Sequence, residues 1–423
     1  MNYPDDWSEE LENYLIAELI KAKDLVEEHI TIEDALRVME RLKREIDKFP
    51  ERYASVRKSI KSSKKSKSHD DYSEANPIEA QLISLEVTGE SDKDDRKKFK
   101  EIVSEIKGTI KGQDEAVEAI GRLLFHNQQC IKYNASNFIG PRVYKQNMIL
   151  VGPSGTGKTA TVTEYCKLLG LPYVIADMTA YTQAGYVGAN IEDIFVRLIK
   201  EADGNIELAQ KGIVIMDEGD KNESKESANE IDVGGKGVID SLLKKIEGAD
   251  IDLGKGKIFN STNTTFITMG VYPRLYDIRK ERSVGKRSIG FSDVSQEVTD
   301  YGEFVADDFI KHGFSQEYVG RFSNIVELKP LADEVYLDIL RNSKNSAYKQ
   351  YKALFDYSYG IELVITPEGE KSIIEQAKKY NIGARGLHRS LSKVLENIEK
   401  RIILEELNCE KVVIDKGCEV KIL

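Results

Sequence analysis

Cysteine is scarce in this chain: its 423 residues contain four cysteines, at Cys130, Cys166, Cys409 and Cys418. None of them stands at CxxC spacing, so the sequence indicates neither a zinc site nor a disulfide framework. We therefore expect a protein of a reducing compartment, the cytoplasm.

The sequence also lacks the marks of membrane, secreted and nucleic-acid-binding proteins. No apolar run is long enough to span a bilayer. The acidic start MNYPDDWSEELENY has neither the basic nor the apolar region of a signal peptide. The net charge of -11 gives no support to a general affinity for nucleic acid. We therefore expect a soluble globular protein with no membrane and no nucleic-acid partner.

Apolar periodicity divides the chain into four regions. Residues 1–60 have the apolar spacing of helices, and residues 61–96 are predicted to be a flexible linker. Between 97 and 325, short apolar runs alternate with helical segments, which indicates an α/β domain whose parallel sheet is covered by helices. Residues 326–423 are expected to form a separate small α+β domain, beginning with one helix over 331–353. The predicted strands of the α/β domain are NMILV (147–151), YVIADM (173–178), IVIMD (213–217) and TTFITMG (264–270).

The clearest chemical motif is GPSGTGKT, which fits the phosphate-binding pattern GxxxxGK[ST]. It lies between a predicted strand and a predicted helix, where glycine-rich loops wrap backbone N–H groups around phosphates. Lys158 would reach the β- and γ-phosphates of ATP, and Thr159 would offer its hydroxyl to Mg²⁺. The candidate nucleotide-binding residues are Gly152, Pro153, Ser154, Gly155, Thr156, Gly157, Lys158, Thr159 and Ala160.

Two carboxylates end the apolar run IVIMD-E, 59 positions after Lys158. Open α/β sheets bind ligands at the carboxyl ends of their strands. Asp217 would hold Mg²⁺ through its water shell, and Glu218 would orient and deprotonate the attacking water. Behind a phosphate loop, these roles are favoured over two solvated acids that open a loop.

Phosphoryl transfer also needs cations that stabilise developing charge, and two arginines are candidates. Arg321 follows Gly320 after a helical run, and Arg385 opens a predicted helix of the small domain. On their spacing alone, ordinary surface arginines are the simpler interpretation.

Several motifs in one order resemble the ClpX family of AAA+ unfoldases. They are GPSGTGKT, PYVIADMTAYTQAGYVG, KGIVIMDEGDK, DVGGKGVIDSLLKKIEG, DDFIKHGFSQEYVGRF and GARGL, and the resemblance spans roughly residues 97–423. It implies a P-loop AAA+ large domain followed by the small α+β domain. It also implies a homo-hexameric ring that uses ATP and Mg²⁺ to thread proteins through its centre.

The resemblance implies roles for residues that spacing alone left open. Arg321 is similar to the arginine finger, which reaches ATP on the neighbouring subunit, and Arg385 to the sensor arginine of the small domain. Thr268 takes the polar sensor place at the end of its strand. Ile110 remains available for a contact with the adenine.

Two glycine-flanked motifs resemble the pore loops of the family. In Gly185-Tyr186-Val187-Gly188, the side chains of Tyr186 and Val187 would grip unfolded or tagged proteins, since aromatic and aliphatic contact tolerates many sequences. The motif GGKG at 234–237 resembles a second pore loop.

An apolar tripeptide, Ile289-Gly290-Phe291, stands in a polar segment that has neither helical nor strand periodicity. It matches the IGF motif with which the family docks on the peptidase ClpP, and it lies between the sensor strand and Arg321, where the family places that loop. Several weak anchors on one ring would act together.

The chain departs from the family at four places. The paired CxxC motifs of the N-terminal zinc-binding domain are absent, so any adaptor would have to bind through the helical segment that stands there. The RKH loop, which helps to admit tagged substrates, has no counterpart in GADIDLGKGKIF. Gly219 stands where an aliphatic residue is usual, and Lys111 where an isoleucine usually nears the adenine.

The leading hypothesis is an ATP-driven unfoldase that feeds ClpP. One alternative is the same motor working as a remodelling chaperone without a peptidase. Another is a nucleotide-gated binding switch, for example on DNA through the basic run at 61–67. The related unfoldase HslU is disfavoured, because it carries a long insertion before the acidic strand.

Overall fold

The computed structural model describes residues 95–136, 141–181, 190–222, 235–254, 256–287, 301–405, 407 and 409–423. The predicted N-terminal segment, nearly all of the predicted linker, the pore-loop residues Tyr186 and Val187 and the tripeptide Ile289–Phe291 lie outside the described residues. The chain divides into two compact units, 1–98 with 128–144 and 99–127 with 145–423.

A five-stranded parallel sheet forms the centre of the second unit, in the order β2-β3-β6-β1-β7. Its strands are β1 (Met148–Val151), β2 (Tyr173–Asp177), β3 (Ile213–Asp217), β6 (Thr265–Gly270) and β7 (Asn324–Glu327). A short antiparallel pair, β4 (Asp250–Asp252) with β5 (Ile258–Asn260), lies between β3 and β6 in the sequence.

Helices surround this sheet in the order of an α/β fold. They are α1 (95–109), α2 (Asp114–Ser136), α3 (Lys158–Leu169), α4 (Glu192–Glu201), α5 (Ile206–Gln210), α6 (Gly235–Glu247), α7 (Pro273–Arg287), α8 (Ala306–His312) and α9 (Gln316–Val319). The predicted fold class, a P-loop α/β domain with a covered parallel sheet, is confirmed.

The strands are apolar throughout because both faces of the sheet are covered. Successive residues of a strand point to opposite faces. In β1, Ile149 and Val151 pack into one hydrophobic cluster, whereas Met148 and Leu150 pack into the other. Continuous apolar runs are therefore required here, as in other parallel sheets that lie between two helical layers.

The C-terminal part packs helices on a three-stranded sheet of order β10-β9-β8 and has its own hydrophobic cluster. Its elements are α10 (Asp333–Asn342), α11 (Ala347–Tyr359), β8 (Glu362–Ile365), α12 (Pro367–Lys379), α13 (Arg385–Leu404), β9 (Lys411–Ile414) and β10 (Val420–Ile422). The boundaries that the sequence predicts for the large and small domains stay a prediction.

The single helix predicted over 331–353 is two helices in the structure. Helix α10 ends at Asn342, and Ser346 caps α11 by accepting a hydrogen bond from the backbone N–H of Lys349. The hydroxyl of Ser346 also donates to the carbonyl oxygen of Leu340. Serine at an N-cap competes with the helix backbone for hydrogen bonds, which explains the break.

In the first unit, the structure describes residues 95–98, 128–136 and 141–144. The side chain of Asn134 donates to the carbonyl oxygen of Val143 at 2.6 Å and accepts from its backbone N–H at 3.0 Å. Lys132 forms an ion pair with Asp95. Among the described helices of the chain, none is long and apolar enough to cross a membrane.

Candidate functional site

The predicted phosphate loop and the acidic pair meet at the carboxyl edge of the parallel sheet. The loop follows β1 and the acids follow β3, with β6 between these two strands. They line a cavity of about 400 Å³ together with Asp220 and Arg385. The lining includes Ser154, Gly155, Gly157, Lys158, Thr159 and Ala160 of the predicted nucleotide-binding set.

The phosphate loop has the backbone that a cradle for an anion requires. Gly155 and Gly157 adopt φ angles of +72° and +105°, which side chains with a Cβ rarely tolerate. Helix α3 begins directly after Gly157, so its N-terminal N–H groups face the cavity. The local sequence therefore builds a site for phosphate groups.

Lys158 is buried at the floor of this loop. Its ammonium group donates hydrogen bonds to the carbonyl oxygens of Gly152 at 2.6 Å and Pro153 at 2.9 Å. Burial lowers the pKa of Lys158, while the charges of Asp217 and Asp220 act in the opposite direction. A bound phosphate would give this desolvated cation a negative partner.

Thr159 and Asp217 face each other across the cavity floor. The Oγ1 atom of Thr159 lies 3.4 Å from Oδ2 of Asp217. Hydroxyl and carboxylate oxygens are the ligands that Mg²⁺ prefers. The two residues therefore fit a magnesium ion that accompanies a nucleotide.

Glu218 sits in a strained backbone conformation beside this pair. Its φ angle is +54°, and its backbone N–H donates to Oδ1 of Asp217 at 2.9 Å. A non-glycine residue in the left-handed region costs free energy, which proteins tolerate mainly at functional sites. The turn leaves the Glu218 carboxylate exposed at the cavity, where it can reach a water molecule.

A second cavity of about 280 Å³ continues from the phosphate loop towards the C-terminal helices. Ile110 and Thr156 line it, with Leu331, Ile339 and Leu387. A Cβ atom on Gly157 would lie 3.5 Å from Cγ2 of Ile110. The apolar side chains on one part of this mixed polar and apolar wall suit contact with a purine base next to the phosphates. At its edge, the ammonium of Lys111 lies 3.7 Å from a carboxylate oxygen of Asp338.

Four of the predicted residues that the structure describes line neither cavity, namely Gly152, Pro153, Thr268 and Arg321. Thr268 is fully buried within β6, where Ile149 and Met216 are its neighbours on the adjacent strands. Its hydroxyl oxygen lies directly under the acidic turn, 2.3 Å from where a Cβ atom on Gly219 would be. Thr268 therefore leaves no room for a side chain at Gly219.

Arg321 lies just beyond α9 and also lines neither cavity. Its guanidinium pairs with Glu247 at 2.7 Å and approaches Glu317 at 3.7 Å. Within its own chain, Arg321 is therefore separate from the phosphate loop.

Sequence reasoning missed Asp220 as a cavity residue. Its side chain is buried, forms an ion pair with Lys221 at 3.4 Å and lines the cavity with Asp217. A sequence signal was present in the third acid of DEGD. The turn Gly219–Asn222 follows β3 directly and returns Asp220 to the same edge of the sheet as Asp217.

Comparison with known proteins agrees with this geometry. The AAA domain of the Cdc48 subfamily matches residues 144–325. The ATP-dependent Clp protease ATP-binding subunit ClpX 3 of Methylococcus capsulatus is 32% identical over 327 residues, which cover 70% of this chain and 73% of the relative. The ClpX 2 subunit of Wolinella succinogenes is 33% identical over 312 residues, covering 70% and 76%.

A third relative, the ClpX subunit of Azotobacter vinelandii, is 37% identical over 269 residues, which cover 60% of this chain and 61% of the relative. These matches confirm the resemblance that the ordered motifs indicated. The chain therefore belongs to the ClpX family of AAA+ proteins, and it is an ATPase.

Proposed function

We propose that this chain is an ATP-driven protein unfoldase and translocase, which works as a homo-hexameric ring and delivers substrates to the peptidase ClpP. The observation that carries the proposal is the shared cavity of Lys158, Asp217, Glu218 and Arg385. The names of the relatives, ATP-binding subunits of the Clp protease, support the link to a peptidase.

Hydrolysis would use the residues in the following way. Lys158 and the loop N–H groups hold the β- and γ-phosphates. Glu218 takes a proton from the attacking water, because its exposed carboxylate reaches the cavity. Mg²⁺, held by Thr159 and Asp217, would neutralise charge on the phosphates. Arg385 would contact the phosphates from the first residue of α13 and so report the nucleotide state to the C-terminal helices.

Arg321 would act on the ATP of a neighbouring subunit, and the ring would close through this contact. Its position outside both cavities of its own chain supports action in trans. Mixing Arg321→Ala chains with Glu218→Gln chains tests this, because some junctions then combine an intact Arg321 with an intact Glu218. We expect partial recovery of ATP hydrolysis, and its absence in verified mixed rings would contradict the proposal.

Substrate proteins would be gripped by Tyr186 and Val187, and ClpP would be bound through Ile289, Gly290 and Phe291. Adaptors or selected substrates would bind to the segment 1–60. The deciding experiment offers a fluorescent folded reporter with an unstructured tail to the protein, ATP and ClpP. We expect loss of fluorescence and of the reporter band.

Two results would favour the other hypotheses. Loss of fluorescence without degradation, at saturating ClpP, would indicate a remodelling chaperone. ATP hydrolysis that is stimulated by DNA and not by an unfolded protein would indicate a nucleotide-gated switch.

A further inference from the structure

The ion pair between Glu247 and Arg321 joins two elements that are far apart in the sequence. Glu247 is the last residue of α6, and Arg321 follows α9. Oε1 of Glu247 lies 2.7 Å from Nη1 of Arg321, whereas the carboxylate of Glu317 lies 3.7 Å from Nη2. Glu247 is therefore the closer partner of this guanidinium.

A glutamate at the C-terminal end of a helix is locally unfavourable. The helix dipole places partial negative charge there, which favours lysine or arginine over an acid. Glu317 is different, because it lies in the first turn of α9, where an acid is favourable. A residue that conflicts with its own helix indicates a requirement from elsewhere in the fold. Here the requirement is an acidic partner for the guanidinium of Arg321.

The backbone of Arg321 is held separately from its side chain. The side chain of Asn147 donates to the carbonyl oxygen of Arg321 at 3.1 Å and accepts from the N–H of Phe266 at 3.0 Å. These bonds attach the backbone to the start of β1 and to β6. The direction of the guanidinium is left to the acids around it, because the long arginine side chain can adopt many rotamers.

We propose that Glu247 is a positioning residue, which holds the guanidinium of Arg321 in the orientation needed at the ATP of the neighbouring subunit. This rests on the proposed function, in which Arg321 acts in trans. Glu247 contacts Nη1 at 2.7 Å, whereas Glu317 lies beyond hydrogen-bond distance of Nη2 at 3.7 Å, so the N–H donors of Nη2 stay available for phosphate oxygens. Helix α6 begins at Gly235, within the predicted second pore loop, so the same helix joins that loop to Arg321.

The test measures ATP hydrolysis by the full chain for Glu247→Ala, Glu247→Gln and Asp240→Ala. Asp240 is the matched control, because it is an exposed acid of the same helix. We expect Glu247→Ala to lower kcat about three- to fivefold, the scale of a partly exposed ion pair, with KM for ATP unchanged. Glu247→Gln keeps an acceptor and should keep most of the activity, and Asp240→Ala should match the parent.

Three further measurements separate positioning from a structural effect. Sedimentation and titration with a fluorescent ATP analogue should show parent-like rings and parent-like affinity for Glu247→Ala. The third measurement uses chains that already carry Arg321→Ala, whose remaining ATP hydrolysis is measured as slow phosphate release. Adding Glu247→Ala to these chains should not lower the hydrolysis rate further.

The outcomes also separate this inference from the proposed function. If Arg321→Ala hydrolyses ATP at the parent rate, the action of Arg321 in trans is wrong. If Arg321→Ala is impaired but Glu247→Ala matches Asp240→Ala or exceeds the parent, Glu247 does not position the finger. An additional loss in the Arg321→Ala background would also overturn the positioning role.

Discussion

The backbone N–H of Ala384 donates a hydrogen bond of 3.0 Å to the carbonyl oxygen of Gly155, which joins the phosphate loop to the residue before α13. The approach is close enough to exclude side chains. A Cβ atom on Gly155 would lie 2.0 Å from the carbonyl oxygen of Ile382, and one on Gly383 would lie 2.5 Å from that of Ser154. A movement of the phosphate loop therefore has to displace the start of α13.

Gly383→Ala tests this contact. The new methyl group would push Ser154 away and distort the phosphate cradle, so we expect about tenfold weaker binding of ATP, measured by titration with a fluorescent analogue. Gly360→Ala is the control. Gly360 has a similar φ angle, +66° against +58° for Gly383, but no atom within 4 Å of the added Cβ. Equal loss of ATP binding in both variants would contradict the role of the contact.

Glu218→Gln should bind ATP and form rings but hydrolyse ATP at least about a hundredfold more slowly, because the attacking water loses its general base. Lys158→Ala should instead weaken ATP binding, since its ammonium would contact the phosphates. Nucleotide titration and phosphate release distinguish the two effects. Hydrolysis by Glu218→Gln at the parent rate would show that another group is the base.

Gly219→Ala should destabilise the protein, because the added Cβ would lie 2.3 Å from Oγ1 of Thr268 and 3.0 Å from the hydroxyl of Tyr272. Overpacking of this kind costs about 1–3 kcal/mol. The double variant Gly219→Ala with Thr268→Ala removes the first clash and should regain part of the melting temperature. Gly108→Ala, where the added Cβ meets no atom within 4 Å, is the control. Parent-like melting of Gly219→Ala would refute the steric explanation.

Phe291→Ala should leave the melting temperature and ATP hydrolysis near parent values, while degradation with ClpP collapses. Its polar sequence context predicts an exposed anchor, whereas a buried phenylalanine would cost about 3–5 kcal/mol when replaced by alanine. Every subunit of a ring loses its anchor together, so the loss should exceed that of one contact. A variant that melts far below the parent yet still supports degradation would place Phe291 in a core.

The fold class and the phosphate loop could be predicted because their signals are local. GPSGTGKT is one continuous loop, and its glycines allow the φ angles that the cradle needs. The acids end an apolar strand, so their place at the sheet edge follows from the strand itself. Short elements gave weaker signals. Strand β7 lies at the sheet edge and is only half-buried, so its four residues carry no continuous apolar run, and it was missed.

The contacts that join distant segments were decided by the tertiary structure alone. The sequence near Gly219 does not predict its contact with Thr268, and the sequence near Arg321 does not predict its ion pair with Glu247. The residues of each pair are separated by dozens of residues and meet only after the sheet has assembled. Local sequence determines backbone conformation within a turn or a helix. The orientation of an exposed arginine, or the room beside a buried glycine, depends on which side chains the rest of the chain brings there.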